Sequence, residues 1–135
     1  MSANLSPGSV LDGFTLGERV HAGAMGELYR VTHPQHPLPM LMKVPRFNAG
    51  DPMENLLSFE TEELILPALT GAHVPRFVAA GDLENVPYLV MEYVQGRTLE
   101  HWLETPERPD ANELARLGEA VAMAVHSLHL SLIHI

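Results

Sequence analysis

Cysteine is absent from this chain of 135 residues, and positive charge is scarce. Without cysteine there can be no disulfide framework, no thiolate metal site and no cysteine nucleophile. Eight Lys and Arg residues stand against seventeen Asp and Glu residues, giving a net charge of −9. Such a balance disfavours a surface that neutralises nucleic-acid phosphates, so we expect no nucleic-acid partner. The only lysine is Lys43.

Long apolar runs are missing as well. No stretch approaches the roughly 18 uninterrupted apolar residues of a membrane span, and the first residues do not resemble a secretory signal. We therefore expect a cytoplasmic protein with no membrane contact from this segment. Hydrophobic residues make up 46% and charged residues 19%, a composition that excludes disorder as the main state.

The segment from residue 13 to about residue 96 contains short apolar runs broken by Gly and Pro, a pattern typical of strands and turns. Five short strands are predicted, mostly joined as hairpins because the gaps are brief. The runs begin at Phe14, Leu28, Met40, Phe77 and Tyr88.

One helix is predicted between the third and fourth of these strands. Asp51 supplies an N-cap, Pro52 the first helical position and Glu54 an early carboxylate. Pro67 disfavours helical geometry at the residue before it, so the helix should end near that point. One predicted face of the helix carries Leu56, Phe59, Glu63 and Leu66.

After Gly96 the pattern becomes helical. Two turns are predicted from Thr98 to Glu104, and Asp110 with Glu113 has the spacing of a capping box before a longer helix. The apolar stripe of that helix, which must pack on something, contains Leu114, Leu117, Val121, Val125 and Leu128.

Histidines are frequent, but their spacing does not predict a metal site. His126, His129 and His134 are near one another in sequence, yet no carboxylate at helical spacing completes a ligand set. His33 and His36 lie in a Pro-rich hairpin loop and are expected to be solvated.

Two features carry candidate chemistry. Gly23 and Gly26 form a tight turn that can present backbone N–H groups to a phosphate, although a plain glycine hairpin explains the same pattern. Lys43 alternates with Met42 and Val44 and so lies on the opposite strand face. Burying a lysine is costly without an anionic partner, so Lys43 is either paired or an edge residue with its ammonium in solvent.

Taken together, the elements resemble the N-terminal lobe of a bacterial-type serine/threonine protein kinase. The resemblance implies an α+β fold, in which a five-stranded antiparallel sheet with one helix precedes the first helices of the helical C-lobe. It also implies an N-terminal extension over residues 1–12 and a partial kinase domain over 13–135. Within that domain, residues 13–94 would form the N-lobe and 95–135 the hinge exit and the first C-lobe helices.

The family's glycine-rich loop, G-x-G-x-x-G-x-V, corresponds to H-A-G-A-M-G-E-L in this sequence, with His21 in place of the first glycine. The family's V-A-I-K appears as M-L-M-K, in which Leu41 replaces a smaller alanine. The resemblance implies that Lys43 pairs with the α- and β-phosphates of ATP. It selects Glu62, rather than Glu60 or Glu63, as the carboxylate that orients this lysine.

The run L-V-M-E-Y-V-Q-G over residues 89–96 resembles the fifth strand and hinge, although alone it also fits a buried strand and a turn. Met91 would be the gatekeeper, and the carbonyl of Glu92 and the amide of Val94 would read the adenine edge. His134 resembles the His of the H-R-D motif, with Ile135 in place of Arg. The catalytic Asp and the Mg²⁺ ligands are expected beyond Ile135, so no catalytic residue is predicted within the chain.

The predicted function is the ATP-binding portion of a serine/threonine protein kinase that uses Mg²⁺ and a protein substrate. This segment alone is not expected to transfer phosphate. A pseudokinase acting as a binding module and a small-molecule kinase with a related lobe are the alternatives. The nucleotide-binding residues that the resemblance implies are Val20, His21, Ala22, Gly23, Ala24, Met25, Gly26, Glu27, Leu28, Leu41, Lys43, Met91, Glu92 and Val94.

Overall fold

The computed structural model describes residues 5–23, 26–46, 53–82 and 84–133, and the side chains of 131–133 are not included. The predicted cap residues Asp51 and Pro52, and also His134 and Ile135, lie outside the described residues. The chain forms two compact units, Met1–Pro67 with Pro75–Tyr93, and Ala68–Val74 with Val94–Ile135.

The first unit contains an antiparallel sheet in the spatial order β1-β2-β3-β4-β6-β5. Its sheet has six strands where the sequence predicted five, because Val10–Leu11 adds a short strand inside the expected N-terminal extension. The five predicted strands are all present. The strands are β1 Val10–Leu11, β2 Phe14–Gly23, β3 Gly26–His33, β4 His36–Pro45, β5 Phe77–Ala80 and β6 Leu89–Glu92.

The additional strand depends on a two-residue turn. Leu11 pairs with Phe14, so Asp12 and Gly13 are the central residues of the hairpin, and their φ angles are 50° and 85°. Positive φ at both central residues matches the right-handed twist of the flanking strands, and Asp-Gly is a preferred pair for it. The Tyr88 hydroxyl donates to Asp12 Oδ2 over 2.7 Å and ties this turn to the start of β6.

The sheet is strongly curved. The ring centroids of Phe14 on β2 and Tyr88 beside β6 are 6.2 Å apart, whereas three strand steps in a flat sheet would span about 14 Å. The curvature encloses the larger apolar core, since one side chain in two along each strand points inward. The buried members of this core are Phe14, Leu16, Tyr29, Val31, Met40, Met42, Tyr88 and Val90.

Helix α1, Met53–Ile65, packs on the other face of the sheet. A smaller buried cluster there joins Phe59, Leu66 and Leu89. Of the four residues predicted to share one face, Phe59 and Leu66 are buried, and Leu56 and Glu63 are half-buried. The helix ends as Pro67 predicts, in a 3₁₀ turn over Leu66–Ala68.

The second unit contains α2, Leu99–Glu104, and α3, Ala111–Ile133. The capping box predicted for α3 is present: Glu113 N donates to Asp110 Oδ1 over 2.8 Å, and Asp110 N donates to Glu113 Oε2 over 3.2 Å. The predicted apolar stripe is not buried within this unit. Leu117 and Leu128 are half-buried, but Leu114, Val121 and Val125 are exposed.

Two further outcomes concern the histidines and the membrane. His33 and His36 are not solvated as predicted, because both are half-buried and their ring centroids lie 4.6 Å and 6.1 Å from that of Phe14. Throughout the described part of the chain, no group of three His, Asp or Glu residues could hold a metal ion. No helix in that part is long and apolar enough to span a membrane.

Candidate functional site

Strand register places the key predicted residues on one face of the sheet. Lys43 of β4 is paired with Leu28 of β3 on one side and with Leu89 of β6 on the other. Leu41 is likewise paired with Met91 of β6. Directly opposed residues on neighbouring strands project to the same side, so Leu28, Leu41, Lys43 and Met91 share a face.

Helix α1 covers part of this face and brings a carboxylate to the lysine. Lys43 Nζ donates to Glu62 Oε2 over 2.5 Å. The pair is partly open to solvent, with exposed fractions of 29% for the lysine and 36% for the glutamate side chain. Glu60 and Glu63 make no ion pair among the described residues. The ammonium is therefore held in place while remaining accessible to an incoming anion.

The glycine turn joins β2 to β3 beside this pair. Gly23 and Gly26 are opposed in the β2–β3 register, whereas Ala24 and Met25 lie outside the described residues. Gly26 has φ +148°, and a Cβ there would overlap the Val44 carbonyl oxygen. A Cβ on Gly23 would meet only the His21 imidazole, at 3.0 Å. The close approach of β3 to β4 thus requires glycine at position 26 but not at position 23.

Strand β2 is irregular just before the turn. Arg19 pairs with Tyr29 and His21 with Leu28, so β2 holds one more residue than β3 over this step. Such a bulge redirects side chains locally and is frequent beside functional sites. Val20 is the additional residue and is 40% exposed, and His21 and Ala22 are also exposed.

Glu27 lies on the opposite face of the sheet from Lys43, because its neighbour Leu28 is the residue paired with the lysine. Arg19 Nη1 is 3.3 Å from Glu27 Oε1, Arg46 Nη2 donates to the same oxygen, and the Tyr29 hydroxyl donates to Oε2. The bond from Tyr29 lowers the pKa of Glu27, and the two arginine charges add to this effect against the opposing effect of burial.

The strand that leads to the second unit is fixed by backbone bonds. Tyr93 N donates to Pro39 O over 2.8 Å, and Glu92 N donates to Arg76 O over 2.8 Å. Met91, just before them, is half-buried against the Phe59 cluster. Val94 belongs to the second unit and is 63% exposed.

The sequence did not point to several residues around the site. The Arg30 guanidinium lies over the Tyr93 ring, 4.5 Å from its centroid. The sequence also did not single out Arg19, Arg46 or Tyr29. One signal was available, because the two-residue spacing of Glu27 and Tyr29 places both side chains on the same face of their strand.

Comparison with known proteins agrees with this geometry. The sequence model of the phosphotransferase enzyme family matches residues 17–132. This chain belongs to the phosphotransferase enzyme family. The match covers the glycine turn, the Lys43–Glu62 pair and the strand that carries Met91.

The curated relatives of this chain include serine/threonine-protein kinases. It is 27% identical over 127 residues to the serine/threonine-protein kinase PknF of Mycobacterium tuberculosis, and the match covers 93% of this chain. It is 26% identical over 129 residues to the serine/threonine-protein kinase PknJ of Mycobacterium bovis, covering 96% of this chain. The matches span 27% and 22% of those two proteins.

Solved structures give the same grouping. The PknI kinase domain of Mycobacterium tuberculosis superposes with a TM-score of 0.73 at 26% identity, over 93% of this chain and 51% of that domain. A point variant of the same domain gives a TM-score of 0.72 over 95% of this chain. The chain therefore has the protein-kinase-like α+β fold that the sequence predicted, comprising the N-lobe and the start of the C-lobe.

Proposed function

We propose that this chain binds ATP on the sheet face that carries Lys43, as part of a serine/threonine protein kinase. The carrying observation is the 2.5 Å bond between Lys43 Nζ and Glu62 Oε2. It involves the only lysine of the chain, at a position where an isolated ammonium would be costly to bury.

The pair provides a preorganised positive charge. An ammonium is a compact point charge on a flexible stem, so an unrestrained lysine would sample many positions. Glu62 restricts the Lys43 ammonium to one position, near the end of the β3–β4 ladder that contains Gly26. The α- and β-phosphates would then contact the Lys43 ammonium and backbone N–H groups of the turn. Because these groups are already in position, they neutralise the phosphate charge without having to rearrange.

The apolar part of the same face suits the nucleobase. Leu28, Leu41 and Met91 line the side of the sheet on which Lys43 lies, and Val20 is exposed at the bulge of β2. A flat purine buries its faces against such side chains. Leu41 is bulkier than the alanine usual in protein kinases and would narrow this part of the site. The Glu92 carbonyl and the Val94 amide would form hydrogen bonds with the edge of the adenine ring.

A protein Ser/Thr hydroxyl is the proposed phosphate acceptor because the curated relatives PknF and PknJ are serine/threonine-protein kinases. A small-molecule acceptor is the second candidate, because the matched family is described by phosphotransfer without a stated acceptor.

The decisive experiment compares binding of ATP and adenosine to Lys43→Met, with titration calorimetry as the measurement. A charge-assisted contact to phosphate contributes about 1.5–3 kcal/mol, so ATP affinity should fall about 10- to 100-fold. Adenosine affinity should be unchanged because adenosine has no phosphate. Arg76→Met, which removes an exposed positive charge from the same unit, is the matched control.

Undiminished ATP affinity in Lys43→Met would refute the phosphate-binding role. The acceptor is tested separately, by following transfer of labelled γ-phosphate in the complete protein that carries this chain. Label on protein Ser or Thr supports the kinase, and label on small molecules alone favours the second candidate. ATP binding without any transfer would instead indicate a pseudokinase.

A further inference from the structure

Glu27 is the centre of a cluster of charged and polar side chains that the nucleotide-binding proposal does not use. Its carboxylate accepts from Arg19, Arg46 and the Tyr29 hydroxyl, and its side chain is 18% exposed. We refer to Arg19, Glu27, Tyr29 and Arg46 as the Glu27 cluster. Three donors on one carboxylate leave it little capacity for a ligand.

The Glu27 cluster connects three pieces of chain at the base of the glycine turn. Arg19 belongs to β2, Glu27 and Tyr29 to β3, and Arg46 directly follows β4. Glu27 is also the residue after Gly26, the position at which β3 comes closest to β4. The cluster therefore fixes the ends of the strands from which the turn projects.

The cluster is more firmly held than an ordinary surface ion pair. Tyr29 is only 2% exposed, and its hydroxyl also lies 3.2 Å from the Leu5 carbonyl oxygen. Burial raises the pKa of Tyr29, and its bond to the Glu27 carboxylate acts in the same direction, so the phenol remains a donor. The buried, neutral Tyr29 hydroxyl holds the Glu27 carboxylate in a fixed orientation. Solvated arginines alone would not do so, because their side chains move.

We propose that Glu27 is a positioning residue that holds the β2–β3 turn, and with it the phosphate-facing backbone, from the opposite face of the sheet. This inference rests on the proposed ATP site. It reassigns the Glu27 side chain, which the kinase resemblance had placed among nucleotide-binding residues. The charge of Glu27 separates two arginines, and without it Arg19 and Arg46 repel each other beneath the turn.

The consequence is selective for the phosphate part of the ligand. Leu41 and Met91 pair with each other in a row two residues along β4 from Lys43. Neither of them adjoins a residue of the Glu27 cluster in sequence, whereas Leu28 and Val20, the other apolar residues assigned to the base, do. A displaced turn should therefore weaken binding of the phosphates more than binding of the base.

The test measures ATP and adenosine affinities for Glu27→Gln in the full chain. The matched control is Glu18→Gln, which removes the same charge from an exposed position on β2. We expect Glu27→Gln to weaken ATP binding about three- to tenfold, given the strength of partly exposed ion pairs with a shared partner. Adenosine affinity of Glu27→Gln should fall less than its ATP affinity, and both affinities of Glu18→Gln should remain at the wild-type level.

Equal ATP affinity in Glu27→Gln and wild type would overturn the positioning role, as would an equal loss of ATP and adenosine affinity, which indicates general destabilisation. Arg46→Gln, a milder change, should move ATP affinity in the same direction. If wild type binds neither ATP nor adenosine, the proposed function fails. The positioning role of Glu27 is then tested independently, by measuring hydrogen exchange at the amides of residues 26–28. Faster exchange in Glu27→Gln supports the positioning role, and unchanged exchange refutes it.

Discussion

The two glycines of the turn should respond very differently to alanine substitution, although the sequence presents them as equivalents. Gly26 has φ +148°, and its Cβ would overlap the Val44 carbonyl oxygen and lie 2.9 Å from the Pro45 Cα. Both obstacles are backbone atoms of β4. Relief would require β3 and β4 to separate where they pair.

The cost of Gly26→Ala has two parts. A non-glycine residue at such a φ costs about 1–3 kcal/mol, and an unrelieved steric overlap in a packed region costs about 1–3 kcal/mol more. We therefore expect a loss of about 2–6 kcal/mol in the free energy of unfolding. For a unit of this size that loss lowers Tm by roughly 8 °C or more.

Gly23→Ala is the matched control within the same turn. Its Cβ would meet only His21 Nε2 at 3.0 Å, and His21 is an exposed side chain that can move away. The expected change in the free energy of unfolding is within about 0.5 kcal/mol, as for other surface substitutions. Urea denaturation followed by circular dichroism measures both variants. Equal stabilities for Gly26→Ala and Gly23→Ala would refute the steric argument.

Two further predictions concern anchors of the two units. Tyr88→Phe removes the bond to Asp12 and should lower the free energy of unfolding by about 1 kcal/mol in urea denaturation at pH 8. Burial, with the bond to Asp12 and its charge, raises the pKa of Tyr88 above its ordinary value of 10.0. The stabilising effect of the Tyr88 hydroxyl is complete below about pH 10 and is lost as the pH rises further. The free energies of unfolding of wild type and Tyr88→Phe should therefore converge in strong alkali, and a constant difference between them would contradict this. Asp110→Ala removes the cap of α3 and should cost about 1 kcal/mol and some helical ellipticity, whereas unchanged ellipticity would show that Glu113 or solvent replaces the cap.

Local sequence signals predicted the regular elements well. Alternating apolar residues located the five longer strands, and Pro67 located the end of α1. Asp110 and Glu113 form the capping box that their spacing indicated. These signals act over a few residues, so they favour the same local structure independently of the tertiary contacts.

Features that depend on neighbours distant in the chain could not be predicted from the sequence. Strand β1 is only two residues long, and its Asp12-Gly13 turn is fixed in part by Tyr88, 76 residues away. Of the four residues predicted to share one face of the helix, only Phe59 and Leu66 are buried, and the packing of the sheet decides which. His33 packs on Phe14 because the pairing of Thr15 with Thr32 places Phe14 and His33 side by side on β2 and β3, and His36 lies opposite His33 across the β3–β4 turn.

The sequence by itself determined the order of the elements, the two turn glycines and the opposite strand faces of Lys43 and Met42, because alternation and turn chemistry are local properties. The pairing of Lys43 with Glu62, and the three donors around Glu27, were decided by the tertiary structure. Charged side chains find partners through strand register and helix packing, and neither is encoded within one short window of sequence. The protein-kinase resemblance supplied the first partner in advance, whereas only the folded sheet revealed the second set.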